Sequence, residues 1–168
     1  MVTFSRRTAI FASLGAAVVG GLGAGVALRL DGPARDMVIL NAEELDVIHA
    51  LCEVWFPAGV FPIDGIEAGV PREVDGVLQD IMGDVQLAGF RYVLRTLQWG
   101  TVARWSRRFT DLEVSERIVV LDRWSDADVV PRRAAVDAVK AVLAIAYFRH
   151  PTIIETIGWR TGCSGDAA

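Results

Sequence analysis

His49-Ala-Leu-Cys52-Glu53 places an imidazole and a thiol three residues apart, with a carboxylate beside the thiol. On a helix, residues three apart are surface neighbours. A histidine-assisted thiolate or half of a tetrahedral metal site is the chemistry such a pair could support. His150 and Cys163 would complete two ligands of each type, and zinc takes four. The spacing argues against it, because metal-binding cysteines usually come in close pairs whereas these would need long-range assembly. Cys52 also falls on an apolar helical stripe, where free cysteine behaves as a small hydrophobe, and a buried thiol is inert. The chain has no Gly-x-Ser-x-Gly elbow and no Cys-x-x-Cys-His run for covalent haem. Gly20-Gly21-Leu22-Gly23-Ala24-Gly25 has a dinucleotide-like glycine spacing, but no strand precedes it and no sheet follows. The sequence therefore gives no catalytic, cofactor-binding or metal-ligating set. A small metal- or thiol-dependent enzyme using His49 and Cys52 stays as an alternative, and Cys52 and Cys163 could pair as a disulfide in an oxidising compartment.

The elements that must hold these residues are helical. Asn41 offers an N-cap, and Glu43 and Glu44 stand in the first turn, where acids suit the helix dipole. Leu45, Ile48, Cys52 and Trp55 recur at helical spacing, with Leu51 and Phe56 widening the stripe until Pro57 ends it. Pro57 to Pro71 holds three prolines and three glycines and reads as one long loop, a length that is often functional. Periodicity resumes at Val74, Val77, Leu78 and Ile81, pauses at Gly83, and predicts a long helix from Val85 to Arg108, weakened at Gly89 and Gly100. Thr110 with Glu113 fits a capping box ahead of a stripe at Val114, Ile118, Leu121 and Trp124. After a polar break from Ser125 to Pro131, a last strong helix spans about Arg132 to Arg149, followed by a short apolar tail from Thr152 to Trp159. No stretch alternates with period two, so the expected fold is all-α, an irregular bundle of about five helices. Trp55, Trp105 and Trp124 occupy stripe positions and are expected in the core, whereas Phe61 in the loop and Trp159 in the tail are candidate anchors for a partner.

Ahead of the bundle, Ser5-Arg6-Arg7-Thr8-Ala9-Ile10 opens an uncharged apolar run that continues to Leu28 and ends at Arg29. A basic start and an apolar middle make an export leader. The paired Arg6 and Arg7 resemble the twin-arginine signal, with Ala9 where an aromatic is usual, and that route carries proteins already folded. Four glycines between 20 and 25 weaken the run as a spanning helix, although an uncleaved membrane anchor is a second possibility. The expected organisation is 1–30 signal or anchor, 31–40 linker, 41–160 helical domain and 161–168 tail. Net charge is −4, and outside the leader 14 basic residues face 21 acidic ones, a net −7 that argues against nucleic acid as a partner.

Leu51-Cys-Glu-Val-Trp-Phe-Pro57, Gly65-Ile-Glu-Ala-Gly-Val-Pro71, Phe109-Thr-Asp-Leu-Glu-Val-Ser-Glu-Arg117, Ala146-Tyr-Phe-Arg-His-Pro151 and Ile157-Gly-Trp159 follow one another in an order that resembles the gluconate 2-dehydrogenase subunit 3 family. The resemblance covers roughly Asn41 to Arg160 together with the leader. It implies a non-catalytic small subunit, exported by the twin-arginine machinery, whose large partner is a flavin-dependent dehydrogenase of the glucose-methanol-choline type. FAD is then expected in that partner and no cofactor in this chain, and some such complexes add a cytochrome c. The resemblance implies a periplasmic site or the outer face of the cytoplasmic membrane. Phe61, Tyr147, Phe148 and Trp159 become the candidate partner interface. A stand-alone membrane-anchored helical protein is the alternative.

Overall fold

A computed structural model describes residues 32–126 and 130–158. The fold is all-α, with no strand among the described residues. Five helices of twelve residues or more carry it: α1 (Ala42–Trp55), α2 (Val70–Ile81), α3 (Asp84–Gly100), α5 (Val114–Ser125) and α6 (Val130–Tyr147). Two short ones, α4 (Val102–Trp105) and α7 (Pro151–Thr156), and a 3-10 turn at Phe109–Asp111 complete the described part.

Helix α1 is the hub. It packs against α2, α3, α5 and the 3-10 turn, while α6 lies across α2 and α5. Ile48 and Leu51 from α1, Leu78 from α2, Leu94 from α3, Phe109 from the 3-10 turn and Leu143 from α6 meet in one core, each fully buried. Burying side chains of this size contributes about 1.5–3 kcal/mol apiece.

Helix α1 starts as its sequence predicts. Asn41 Oδ1 accepts the Glu44 N–H at 2.9 Å and Glu44 Oε2 accepts the Asn41 N–H at 3.1 Å, a reciprocal capping box. The next helix starts earlier than expected, at Val70. Gly69 turns the chain at φ +68°, which a residue without a Cβ adopts freely, and Pro71 then sits in the first turn, where its missing N–H costs nothing.

The long helix predicted to Arg108 instead breaks at Gly100. After the short α4, Ser106 takes a left-handed conformation at φ +53°, and the Thr101 hydroxyl donates to the Arg107 carbonyl at 2.8 Å. The box predicted at Thr110 and Glu113 is shifted too. Glu113 is itself the N-cap of α5 and shares the box with Glu116, while Thr110 lies in the 3-10 turn and bonds Gln98. The stripe on α5 is rotated as a result. Val114 and Ile118 are 40% and 42% exposed, and Arg117, Val120 and Leu121 face inward. Arg117 can do so because its guanidinium finds the Glu53 carboxylate and donates to the Thr110 carbonyl at 3.0 Å. Trp55, Trp105 and Trp124 are only partly buried and pack against the core from outside. Beyond α6, the tail forms α7, with Pro151 in its first turn and Ile153 buried.

Candidate partner interface

Tyr147, the last residue of α6, is fully buried and stacks on Phe56, the residue that caps the end of α1, with ring centroids 4.3 Å apart and planes 13° from parallel. Phe61 meets the edge of Tyr147 at 5.7 Å and Phe148 meets it at 5.5 Å. Four rings from α1, the 57–69 loop and the α6 end thus form one corner. Offset and edge-on pairs of this kind each add about 0.5–1.5 kcal/mol beyond burial. The Tyr147 hydroxyl donates to the Ile63 carbonyl at 2.8 Å and so ties the loop to α6. Burial, and then the Asp64 carboxylate, raise the Tyr147 phenol above its ordinary value, so it remains a donor at neutral pH.

Local turns fold the loop onto that corner. Asp64 Oδ1 accepts the N–H groups of Ile66 and Glu67 at 2.8 and 2.7 Å, an Asx turn. Gly65 N–H donates to the Phe56 carbonyl at 3.0 Å. A Cβ on Gly65 would lie 3.0 Å from Cys52 Cβ and 3.1 Å from Phe56 Cβ, so only glycine lets the loop backbone lie this close to α1. The outer face keeps apolar surface in water: Val60 is 72% exposed, Phe61 36%, Ile66 44% and Phe148 48%. Beside it opens a cleft of about 300 Å³, walled by Phe56, Pro57, Ala58 and Ile66 and flanked by Glu53 and Asp64.

The thiol chemistry does not assemble. His49 is exposed while Cys52 is 1% exposed, so the imidazole stands in water and the thiol points into the core. Burial, with smaller contributions from Asp64 and Glu53, pushes the Cys52 thiol up to about 12, so at neutral pH it is protonated and no nucleophile. No group of three or more His, Cys, Asp and Glu among the described residues is placed to hold a metal ion. His150 stands at the α6–α7 junction. Arg6, Arg7, Trp159 and Cys163 lie outside the described residues, and with them the export signal and the Cys52–Cys163 pairing.

A family model described as gluconate 2-dehydrogenase subunit 3 matches residues 42–165. The chain belongs to the gluconate 2-dehydrogenase subunit 3 family. Comparison with curated proteins and with solved structures found no match. Subunit 3 is by its description a part of a larger assembly, which implies a complex with a catalytic dehydrogenase subunit. In this subunit 3 chain the matched region takes in all five long helices and the aromatic corner.

Reading side chains by periodicity misses three polar clusters in this subunit 3 fold. Asp75 on α2 is 5% exposed and accepts three backbone N–H groups, those of Val38, Ile39 and Leu40, at 2.7, 2.9 and 2.7 Å. Glu44 is buried with Arg91 and Arg95 of α3 at 3.4 and 3.8 Å, and Arg91 also donates to the Ile39 carbonyl. Gln98 is buried and bonds both the N–H and the hydroxyl of Thr110. A polar residue on the inward face of an amphipathic helix is the signal that could have found Asp75, which falls next to Val74 and two residues before Val77.

Proposed function

We propose that this chain is the non-catalytic small subunit of an exported FAD-dependent dehydrogenase, and that it binds, stabilises and escorts the flavoprotein catalytic subunit through twin-arginine export. Membership of a dehydrogenase subunit family is the observation that carries the reading. The aromatic corner supports it, since an apolar surface rimmed by polar residues and mounted on a rigid support is a usual docking face. In this reading Arg6 and Arg7 engage the export machinery while the helical body holds the folded partner. FAD, the substrate pocket and the oxidation itself belong to the partner, a flavoprotein of the glucose-methanol-choline type. Some complexes of this kind add a cytochrome c that takes up the electrons. The assembly works on the outer face of the cytoplasmic membrane or in the periplasm. No helix among the described residues is long and apolar enough to cross a membrane, so attachment to the bilayer rests in this reading on the leader or on the partner.

The test is an affinity pull-down of the carboxy-terminally tagged chain from its host, with a visible spectrum and mass spectrometry of the eluate. A stoichiometric flavoprotein that stays cytoplasmic in an Arg6→Lys, Arg7→Lys variant supports the escort role. A colourless, solitary chain overturns it and leaves the stand-alone anchored protein.

A further inference from the structure

The cleft beside the aromatic corner has a chemistry more specific than an apolar patch. Its lining is largely apolar, from Phe56, Pro57, Ala58 and Ile66, but it also includes the carboxylates of Glu53 and Asp64. The carboxy-terminal end of α1 opens onto it, and the last turn of α1 holds no basic residue to offset the negative end of the helix dipole. Glu53 is partly neutralised by Arg117, whereas Asp64 uses one oxygen for the two N–H groups of its own turn and is paired with no cation among the described residues. After burial, Asp64 and Glu53 both add to the rise of the Cys52 thiol, which lines the cleft with them, and Asp64 adds to that of the Tyr147 phenol.

From this juxtaposition we infer that the cleft receives an arginine or lysine side chain of the catalytic subunit, its stem lying on Phe56 and Ile66 and its charged head between Asp64 and Glu53. A long cationic side chain fits both halves of the site, since its methylenes cover apolar surface while its head meets carboxylate. Apolar neighbours of that residue on the partner then cover Val60 and Phe61, which stand in water in the free chain. The inference rests on the proposed complex with a dehydrogenase subunit and names what that subunit must present. Charge complementarity of this sort fixes register and speeds encounter.

Asp64→Asn is the informative variant. The amide oxygen keeps the Asx turn and only the charge is lost. With the purified complex dissociated and re-formed in a titration, Asp64→Asn is expected to weaken binding about tenfold in 50 mM salt, the deficit shrinking by 0.5 M salt as screening removes the wild-type advantage. The melting temperature of the free variant should match wild type, and Asp122→Asn, an exposed acid on α5, should bind as wild type does. A photo-crosslinker at the exposed, cleft-lining Ala58 is expected to join a partner segment that contains arginine or lysine. Unchanged affinity for Asp64→Asn, or crosslinks to a segment without a basic residue, overturns the assignment while leaving the complex intact. If no flavoprotein accompanies even the wild-type chain, it is the complex itself that fails.

Discussion

The Tyr147 hydroxyl ties the 57–69 loop to the end of α6. Removing it in Tyr147→Phe leaves the ring stack on Phe56 but strips the Ile63 carbonyl of its donor, at an expected cost of about 1–2 kcal/mol by urea denaturation. The same residue and Cys52 shape the alkaline limb of stability. Each is raised in the folded chain, so the native state keeps a proton that the unfolded chain has given up. Their contribution is complete below the ordinary values, 9.0 for the thiol and 10.0 for the phenol, and is lost as pH climbs above them toward the folded values, about 12 for Cys52. Stability should therefore be level near neutrality and fall from pH 9 upward, by at most about 1.4 kcal/mol per pH unit for each group. Denaturation midpoints at pH 8, 9, 10 and 11 check this, and Cys52→Ala should remove the decline between 9 and 10. Gly65 is the third sensitive position. Gly65→Ala drives a methyl into Cys52 and Phe56, both backed by core, with an expected loss of about 1–3 kcal/mol and a loop lifted off α1, visible as faster amide exchange at Gly65.

At the scale of elements, Asp75 joins the lead-in segment to α2. Asp75→Ala leaves three N–H groups without their acceptor and should cost about 3 kcal/mol or more in thermal or urea denaturation. Asp75→Asn should cost distinctly less, because its amide oxygen can serve Ile39 and Leu40 while the exposed Val38 turns to water. The helices and their order could be read in the sequence because apolar spacing and capping residues act locally: Asn41 with Glu44, and the stripe of Val74, Val77 and Leu78, are instances, although Ile81 at its end is 50% exposed. What could not be read was decided by partners distant in the chain. Arg117 looks like a surface residue until Glu53, from another helix, is beside it, and once it turns inward Val114 and Ile118 must turn outward. Ser106 likewise ends a helix that its neighbours' periodicity would continue. In the corner, Phe61 could be singled out because it stood on a loop, and Phe148 and Tyr147 through the family resemblance, but the stack that makes Tyr147 a buried support instead of an exposed contact depends on Phe56 across the fold. The outward face of α5 gives a second test. Ile118→Ser with Val119→Ser should cost about 1–2 kcal/mol together, less than the same change in the core, because each side chain is already 42–44% exposed.

The molecule as a whole has a firm helical interior and an apolar outer face at one corner. A chain of this kind made without its partner should bind a hydrophobic dye and self-associate with rising concentration, and should lose both properties in the purified complex. Dye fluorescence and analytical ultracentrifugation of the two preparations test this directly, and a free chain that is monomeric and dye-silent would count against the corner as an interface.

The Asp75 latch also decides how the protein bears load. Residues 38–40 are fixed by three charge-assisted bonds to one carboxylate, and Arg91 grips the Ile39 carbonyl from the other side. A pull on the chain ahead of Ala34 meets these bonds before it meets the first turn of α1. The bundle is thus mechanically insulated from whatever its amino-terminal segment is attached to, as a cable is protected by a strain relief where it enters a housing.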